Sequence, residues 1–229
     1  MLKKRIIGSI TVLNGWAVQS FSYNQYLPLG RPEIVAQNLD RWGADEILVQ
    51  CIDRSKYSMG PDYSTISKIA NAGITTPFIY SGGIKNHHDA ISVIKLGADR
   101  IMFDALLNTS IDEIINSSRI LGSQALIGCV PMKIHLGRIY RFNYLTKKTE
   151  LLTKRFLEKL YSASISELLL VDYLNEGTDK SFDLKILQSS LVKKIEIPLL
   201  LLYIPILNNS KKKIIENFFI FILIFILKI

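Results

Sequence analysis

The chain has 229 residues, of which 48% are hydrophobic and 21% charged, and its formal net charge is +8. This length suits one large α/β domain, and the composition is apolar enough to bury a core. The lysines and arginines are scattered, without a basic stripe interleaved with aromatic residues, which disfavours nucleic acid as a partner.

The two ends of the chain disfavour export and a membrane anchor. The N-terminal segment reaches Gly8 before an apolar stretch of signal-peptide length develops. The apolar run at 218–227 is ten residues long, and a membrane-spanning helix needs about 20. Cys51 and Cys129 lie in apolar runs without metal-ligand spacing, so we expect buried thiols. We therefore expect a cytoplasmic protein, and we predict neither a metal nor a cofactor.

Predicted strands and helices alternate along the chain. Continuous apolar runs such as 46–52 are typical of strands buried on both faces, and several helices end at a glycine. The predicted strands cover 5–12, 46–52, 77–81, 100–103, 125–130, 168–171 and 198–202. The predicted helices begin near 32 and 63 and cover 88–96, 111–121, 153–162 and 184–193. Alternating residues at 139–144 predict one arm of a short hairpin.

The second half of the chain repeats the first. Glu46 begins the run EILVQ, and Glu167 begins the similar run ELLLV 121 residues later. The segment IGSI at 7–10 likewise recurs as IGCV at 127–130. Two halves of four strand–helix units predict a (β/α)8 barrel, whose active site lies where the loops leave the carboxyl ends of the strands.

The repeat fails near residue 202. The segment 77–83, PFIYSGG, aligns with 198–204, PLLLLYI, where both glycines are missing. We therefore predict a single barrel domain over 1–202 whose last strand–helix unit is degenerate or missing. An aberrant apolar tail follows over 203–229, of the kind that a shifted reading frame would produce. A barrel without its eighth strand exposes two strand edges, which favours aggregation.

Two glycines, Gly82 and Gly83, follow the predicted strand 77–81 and precede a predicted helix. Backbone N–H groups at such a place can hold a phosphate, and glycine lets the backbone approach the phosphate oxygens. A tight turn at the end of a strand would require the same residues. We predict phosphate binding here and keep the turn as the alternative.

Several short motifs between residue 1 and about 200 are together characteristic of one family. They are 2–7 (LKKRII), Gly15, 30–32 (GRP), 43–46 (GADE), 81–84 (SGGI), 97–100 (GADR), 122–125 (GSQA) and 176–178 (EGT). With these motifs the chain resembles the cyclase subunit of imidazole glycerol phosphate synthase, a lyase of histidine biosynthesis. The resemblance implies a heterodimer with a glutaminase, whose ammonia crosses the barrel and closes an imidazole ring on a bis-phosphate substrate.

The chain departs from this family where the chemistry is done. Thr11 and Pro131 match the two catalytic aspartates, and neither side chain can act as a general acid or base near neutral pH. Gln19 matches a substrate-handling lysine, and Asp104 matches an asparagine of the phosphate site. Residues 203–204, Tyr-Ile, match glycines of the second phosphate site. We therefore predict no catalytic residue.

The family's ring of charges at the other end of the barrel is retained. The resemblance assigns it to Arg5, Glu46, Arg100 and Glu167. In the family this ring is the gate through which ammonia enters from the glutaminase. Four mutually paired charges could equally close the barrel as a structural element, because such charges are costly unless they are paired.

Three hypotheses of function follow. The first is the family's cyclase activity, against which Thr11 and Pro131 argue. The second is a non-cyclising ammonia channel, which docks a glutaminase and supplies a separate amidotransferase acting on a sugar of a surface polysaccharide such as lipopolysaccharide. The third is a truncated remnant without function.

Overall fold

The computed structural model describes residues 5–178, 180–202 and 226–227. The strands in chain order are β1 (Ile7–Leu13), β2 (Trp16–Phe21), β3 (Gln25–Gly30), β4 (Glu46–Cys51), β5 (Phe78–Ser81), β6 (Arg100–Phe103), β7 (Leu126–His135), β8 (Arg138–Asn143), β9 (Lys148–Leu151), β10 (Glu167–Asp172), β11 (Leu199–Leu201) and β12 (Ile226–Leu227). The helices are α1 (Pro32–Arg41), α2 (Ile52–Lys56), α3 (Tyr63–Ala70), α4 (His87–Lys95), α5 (Ala105–Thr109), α6 (Ile111–Leu121), α7 (Lys154–Ser162) and α8 (Lys185–Gln188).

Seven parallel strands lie side by side in the order of the chain: β1, β4, β5, β6, β7, β10 and β11. Two antiparallel pairs of strands extend the sheet. The hairpin β2–β3 continues from β1, and β8 and β9 form a ribbon with the end of β7. The backbone of β12 pairs antiparallel with β11, at the edge where the eighth strand of a barrel would lie. The predicted (β/α)8 barrel is thereby confirmed.

The sheet curls around an interior of its own. One hydrophobic cluster takes residues from all seven parallel strands, including Ile7 of β1 and Leu200 of β11 at the two ends of the row. A second, larger cluster lies between the sheet and the helices. Because successive side chains of a strand point to opposite faces, each strand sends alternate residues into the barrel and the others under the helices.

The duplication seen in the sequence is also a duplication of strand register. Ile7 pairs with Glu46, and Ile127 pairs with Glu167. One strand further along, Ile47 pairs with Phe78 as Leu168 pairs with Leu199. The two halves of the chain therefore build the same half-barrel, as the repeat predicts.

The structure differs from the prediction in the last predicted helix. Instead of one helix over 184–193, α8 spans only Lys185–Gln188, and a single 3-10 turn follows at Val192–Lys194. Ser189 is extended between them. Serine competes for the backbone with its own hydroxyl and is a weak helix former, which explains the break.

The hairpin β2–β3 is a second difference, because no strand is predicted in that stretch. The predicted hairpin arm at 139–144 is confirmed as β8. None of the helices in the described part of the chain is both long and apolar enough to span a membrane. The predicted tail lies outside the described residues except for the backbone of β12, and so do residues 203–204.

Candidate functional site

The floor of the barrel, where the parallel strands begin, carries four charged side chains. Glu46, Arg100 and Glu167 are the first residues of β4, β6 and β10, and Arg5 lies two residues before β1. Because each lies at or just before the start of a buried parallel strand, the barrel brings together residues that are far apart in the chain.

These four residues, which we call the floor ring, alternate in sign and are paired on both sides. Arg5 Nη1 lies 3.2 Å from Glu46 Oε2, and Arg100 Nη1 lies 3.3 Å from Glu46 Oε1. Arg100 Nη2 lies 2.7 Å from Glu167 Oε2, and Arg5 also contacts Glu167. The Glu46 side chain is only 8% exposed. The structure thus brings all four predicted residues together, while their role as an ammonia gate stays a prediction.

The mouth of the barrel, where the parallel strands end, is polar on one side. Ser9 and Thr11 share the inward face of β1 with Ile7, and Gln50 of β4 donates a buried hydrogen bond of 3.2 Å to Ser9 Oγ. On β7, Pro131 lies on the same face as Ile127, and this face points inward. The residues that match the catalytic aspartates therefore face the interior without a titratable group. Gln19, by contrast, lies in the hairpin, opposite Leu27 of β3.

Gly82 and Gly83 follow β5 but do not begin a helix, since α4 starts at His87 after the cap residue Asn86. Both have positive φ, 127° and 72°. A Cβ on Gly82 would collide with the Cys51 carbonyl oxygen, and one on Gly83 with that of Gly60. Close backbone packing thus requires both glycines, whatever they bind. Their predicted role in phosphate binding remains a prediction.

The chain's own side chains occupy the hydrogen-bonding groups around these glycines. The Gly83 N–H donates to Ser55 Oγ over 2.9 Å. Across the same crevice, the Asp104 carboxylate accepts from the Ala105 N–H and, over 3.0 Å, from the Tyr144 hydroxyl. Burial raises the pKa of Asp104, against the lowering effect of these hydrogen bonds.

Asp104 should make the protein less stable as the pH rises. Its folded pKa lies above the ordinary value of 3.8, so the stability it contributes is present in acid and is lost as the pH rises through the raised pKa. Asp104→Asn keeps an acceptor for Tyr144 and removes this loss. We expect its thermal midpoint to exceed that of the unmodified chain at about pH 8 and to approach it at about pH 4. Asp112→Asn, at an exposed position, is the control. If Asp104→Asn raises the thermal midpoint equally at both pH values, the raised pKa of Asp104 does not reduce the stability of the protein.

A second buried carboxylate joins the first hairpin to the loop after β10. Glu176 Oε2 accepts from Ser20 Oγ over 3.0 Å and from the Tyr23 N–H over 3.2 Å, and the Glu176 carbonyl accepts from Ser22 N over 2.8 Å. Burial raises the pKa of Glu176. A Cβ on Gly177 would collide with the Ser20 carbonyl oxygen, so the two loops are in direct contact.

Sequence reasoning missed the roles of Ser55, Tyr144 and Glu176. Glu176 belongs to a family motif, and Tyr144 ends the predicted hairpin arm, but neither signal indicates a contact across the mouth. These contacts join residues that are 28 or more positions apart in the chain. Local pattern carries no information about such pairs.

Comparison of the sequence with known proteins identifies a family and several named relatives. Residues 5–201 match the model of a family described as "Histidine biosynthesis protein". The chain is 29% identical to imidazole glycerol phosphate synthase subunit HisF of Exiguobacterium sp. over 201 residues, 87% of this chain and 78% of that protein. It is 28% identical to a putative imidazole glycerol phosphate synthase subunit, hisF2, of Vibrio vulnificus. This match extends over 191 residues, which are 82% of this chain and 70% of that protein. A putative hisF2 of Campylobacter jejuni is also 28% identical, over 88% of this chain and 79% of that protein.

Proposed function

Since this chain belongs to the histidine biosynthesis protein family, we propose that it is a subunit that receives ammonia from a glutaminase and does not itself close an imidazole ring. The contrast between the two ends of the barrel carries the proposal. The floor ring of Arg5, Glu46, Arg100 and Glu167 is complete and paired. At the mouth, Thr11 and Pro131 stand on the inward face where general acid–base catalysis needs titratable groups.

Two further observations support a role in ammonia delivery. The relatives are named as subunits of a synthase, which supports assembly with a second subunit. Two exposed apolar side chains lie at the floor end of the barrel. Ile6, next to Arg5, is 44% exposed, and Leu96, shortly before β6, is 39% exposed. Protein interfaces typically have an apolar core and a polar rim. The acceptor that we propose is a surface-polysaccharide sugar, amidated by a separate amidotransferase.

A reconstitution with the glutaminase subunit from the same genome tests the proposal. We expect a one-to-one complex by size-exclusion chromatography, and no imidazole product from the bis-phosphate substrate with added ammonium. Ile6→Lys/Leu96→Lys should weaken the complex at least tenfold, about 1.4 kcal/mol, because two charges would enter an apolar contact. Leu136→Lys is the matched control, because Leu136 is 88% exposed at the tip of the ribbon beyond the mouth.

The possible outcomes separate the alternatives. Imidazole product would restore the family's cyclase activity and overturn the proposal. The lack of a complex with a folded chain would leave a remnant without function. For the tail we propose a shifted frame, and the DNA around codons 195–205 should then encode Gly-Gly-Ile, and further on Gly-Ala-Asp, in another frame. If neither motif is present in any frame, a shifted frame does not explain the tail.

A further inference from the structure

The loop between α2 and α3 displays two apolar side chains to solvent. Tyr57 is 61% exposed and Met59 is 53% exposed. The loop follows the carboxyl end of β4, so both side chains stand at the mouth end of the barrel. We call Tyr57 and Met59, together with the neighbouring cations Lys56 and Lys85, the rim patch. A single exposed apolar residue needs no explanation, whereas an apolar patch with a polar border is typical of interaction sites.

The loop that carries the rim patch is held in one conformation. The Arg54 guanidinium donates to three successive carbonyls, those of residues 59–61, over 2.8–3.1 Å. Between the two exposed side chains, Ser58 has φ of 53°. This left-handed conformation is uncommon outside glycine and persists where the surrounding contacts impose it. Tyr57 and Met59 are therefore presented by a fixed loop, which lowers the entropy cost of binding a partner.

The rim patch lies beside the opening of the barrel and not on its outer flank. Burial raises the pKa of Tyr26 on β3, and the nearby Glu176 and Tyr57 raise it further. Tyr57 is therefore close to the first hairpin. On its other side the loop touches the turn after β5, since a Cβ on Gly83 would collide with the Gly60 carbonyl. The patch thus lies between the loops that follow β1 and β5.

The exposed charges at the mouth are mostly positive. Lys56 Nζ lies 5.2 Å from the centre of the Tyr57 ring, and Lys85 Nζ donates to the Ser58 carbonyl over 2.8 Å. In the described loops after β4, β5 and β10 and in the ribbon, the exposed carboxylate is Glu150, which contacts Arg141. The other exposed cations of these segments are Arg138, Lys147, Lys148 and Lys180. A protein surface complementary to this end of the barrel is therefore acidic.

We propose that the rim patch is the docking point of the amidotransferase that consumes the ammonia, and that this partner offers an acidic surface around an apolar pocket for Tyr57 and Met59. The inference rests on the proposed function, in which ammonia leaves the mouth for a separate enzyme. Ammonia that escapes into water is protonated and loses its nucleophilic lone pair, so a partner seated on the mouth protects it. Tyrosine and methionine are enriched at protein interfaces, and charges lie at their polar rim. Lys56 and Lys85 border the apolar pair in this way.

Binding of the purified sugar amidotransferase of the same genome to the full chain tests the inference. We expect Tyr57→Ser/Met59→Ser to weaken the affinity at least tenfold in biolayer interferometry, because it removes the apolar centre of the contact. Ile120→Ser is the matched control, since Ile120 is 56% exposed near the end of α6, away from the mouth. This control should leave the affinity unchanged.

The charge of the partner is tested separately. Lys56→Glu should slow the association, and the difference should shrink at high salt, because charges at the rim of an interface act mainly on the association rate and are screened by salt. Lys95→Glu makes the same change of charge at the end of α4, near the floor, and should have the smaller effect. If the two variants slow association equally, net charge explains the effect and no acidic surface is docked at the rim patch.

The outcomes separate this inference from the proposed function. Equal affinity of the unmodified chain and Tyr57→Ser/Met59→Ser for the amidotransferase would overturn the docking point and leave ammonia delivery intact. If the glutaminase binds the unmodified chain and the amidotransferase does not, the proposed acceptor fails and the docking point fails with it.

Vesicles of phosphatidylserine and phosphatidylcholine test the other surface that a basic and apolar patch could fit. The rim patch is a membrane contact, and the inference is overturned, if the double variant loses binding to vesicles but keeps its affinity for the amidotransferase. In either case Tyr57→Ser/Met59→Ser should bind the glutaminase as the unmodified chain does, because the floor is unchanged.

Discussion

Glu46→Gln should destabilise the barrel by about 3 kcal/mol, because it leaves two arginines at the floor with a single carboxylate. Glu46 contacts both Arg5 and Arg100, and its side chain is only 8% exposed. Removing one partner of a buried ion pair costs far more than an average surface mutation, since the remaining charge stays poorly solvated. Urea denaturation followed by circular dichroism measures the change.

An exposed ion pair provides the control for this prediction. Lys154 and Glu158 lie 3.8 Å apart with side chains 86% and 61% exposed. Glu158→Gln should cost less than about 0.5 kcal/mol. If Glu46→Gln costs no more than this control, the floor ring contributes nothing to the stability of the barrel. The ring would then be retained for another reason, and the proposed contact with a glutaminase would gain support.

The sequence was sufficient to predict the barrel because its information is local and repeated. Continuous apolar runs such as that beginning at Glu46 fix the parallel strands, and the spacing of Glu46 and Glu167 fixes the two halves. The register follows, since Ile7 pairs with Glu46 as Ile127 pairs with Glu167. A one-residue slip would turn every interior side chain outward. The continuous apolar runs would tolerate such a slip, but it would also take Glu46 and Glu167 away from the arginines of the floor ring, so these charges specify the register.

The mouth could not be predicted in the same way, because its contacts join loops without a shared pattern. The hairpin β2–β3 is stabilised by its edge pairing with β1 and by its contacts with Glu176, and the latter cannot be read from 16–30 alone. Asp104 illustrates the same limit. Its match to an asparagine of the family's phosphate site does not reveal its partners, whereas the structure shows the carboxylate bonded to Ala105 and Tyr144.

The glycines after β5 provide the second large expected effect. Gly83→Ala should destabilise the protein by about 3 kcal/mol, from about 1–2 kcal/mol for a left-handed alanine and a further 1–3 kcal/mol for the collision of its Cβ with the Gly60 carbonyl. Gly60 and Pro61 would have to move, and Arg54 Nε, which donates to the Gly60 carbonyl over 2.8 Å, would have to move with them. Chemical denaturation measures the loss.

Gly43→Ala isolates the collision from the backbone strain. Gly43 has φ of 79°, close to the 72° of Gly83, but a Cβ there would have no atom within 4 Å. The control should therefore cost only the strain, about 1–2 kcal/mol. If the two variants are equally stable, the Gly60 backbone yields to the added methyl group and packing does not explain the glycine. Ligand binding at the mouth would then remain as the reason for a glycine at position 83, and the predicted phosphate binding would gain support. If Gly83→Ala is the more costly by the expected margin, the fold alone requires the glycine.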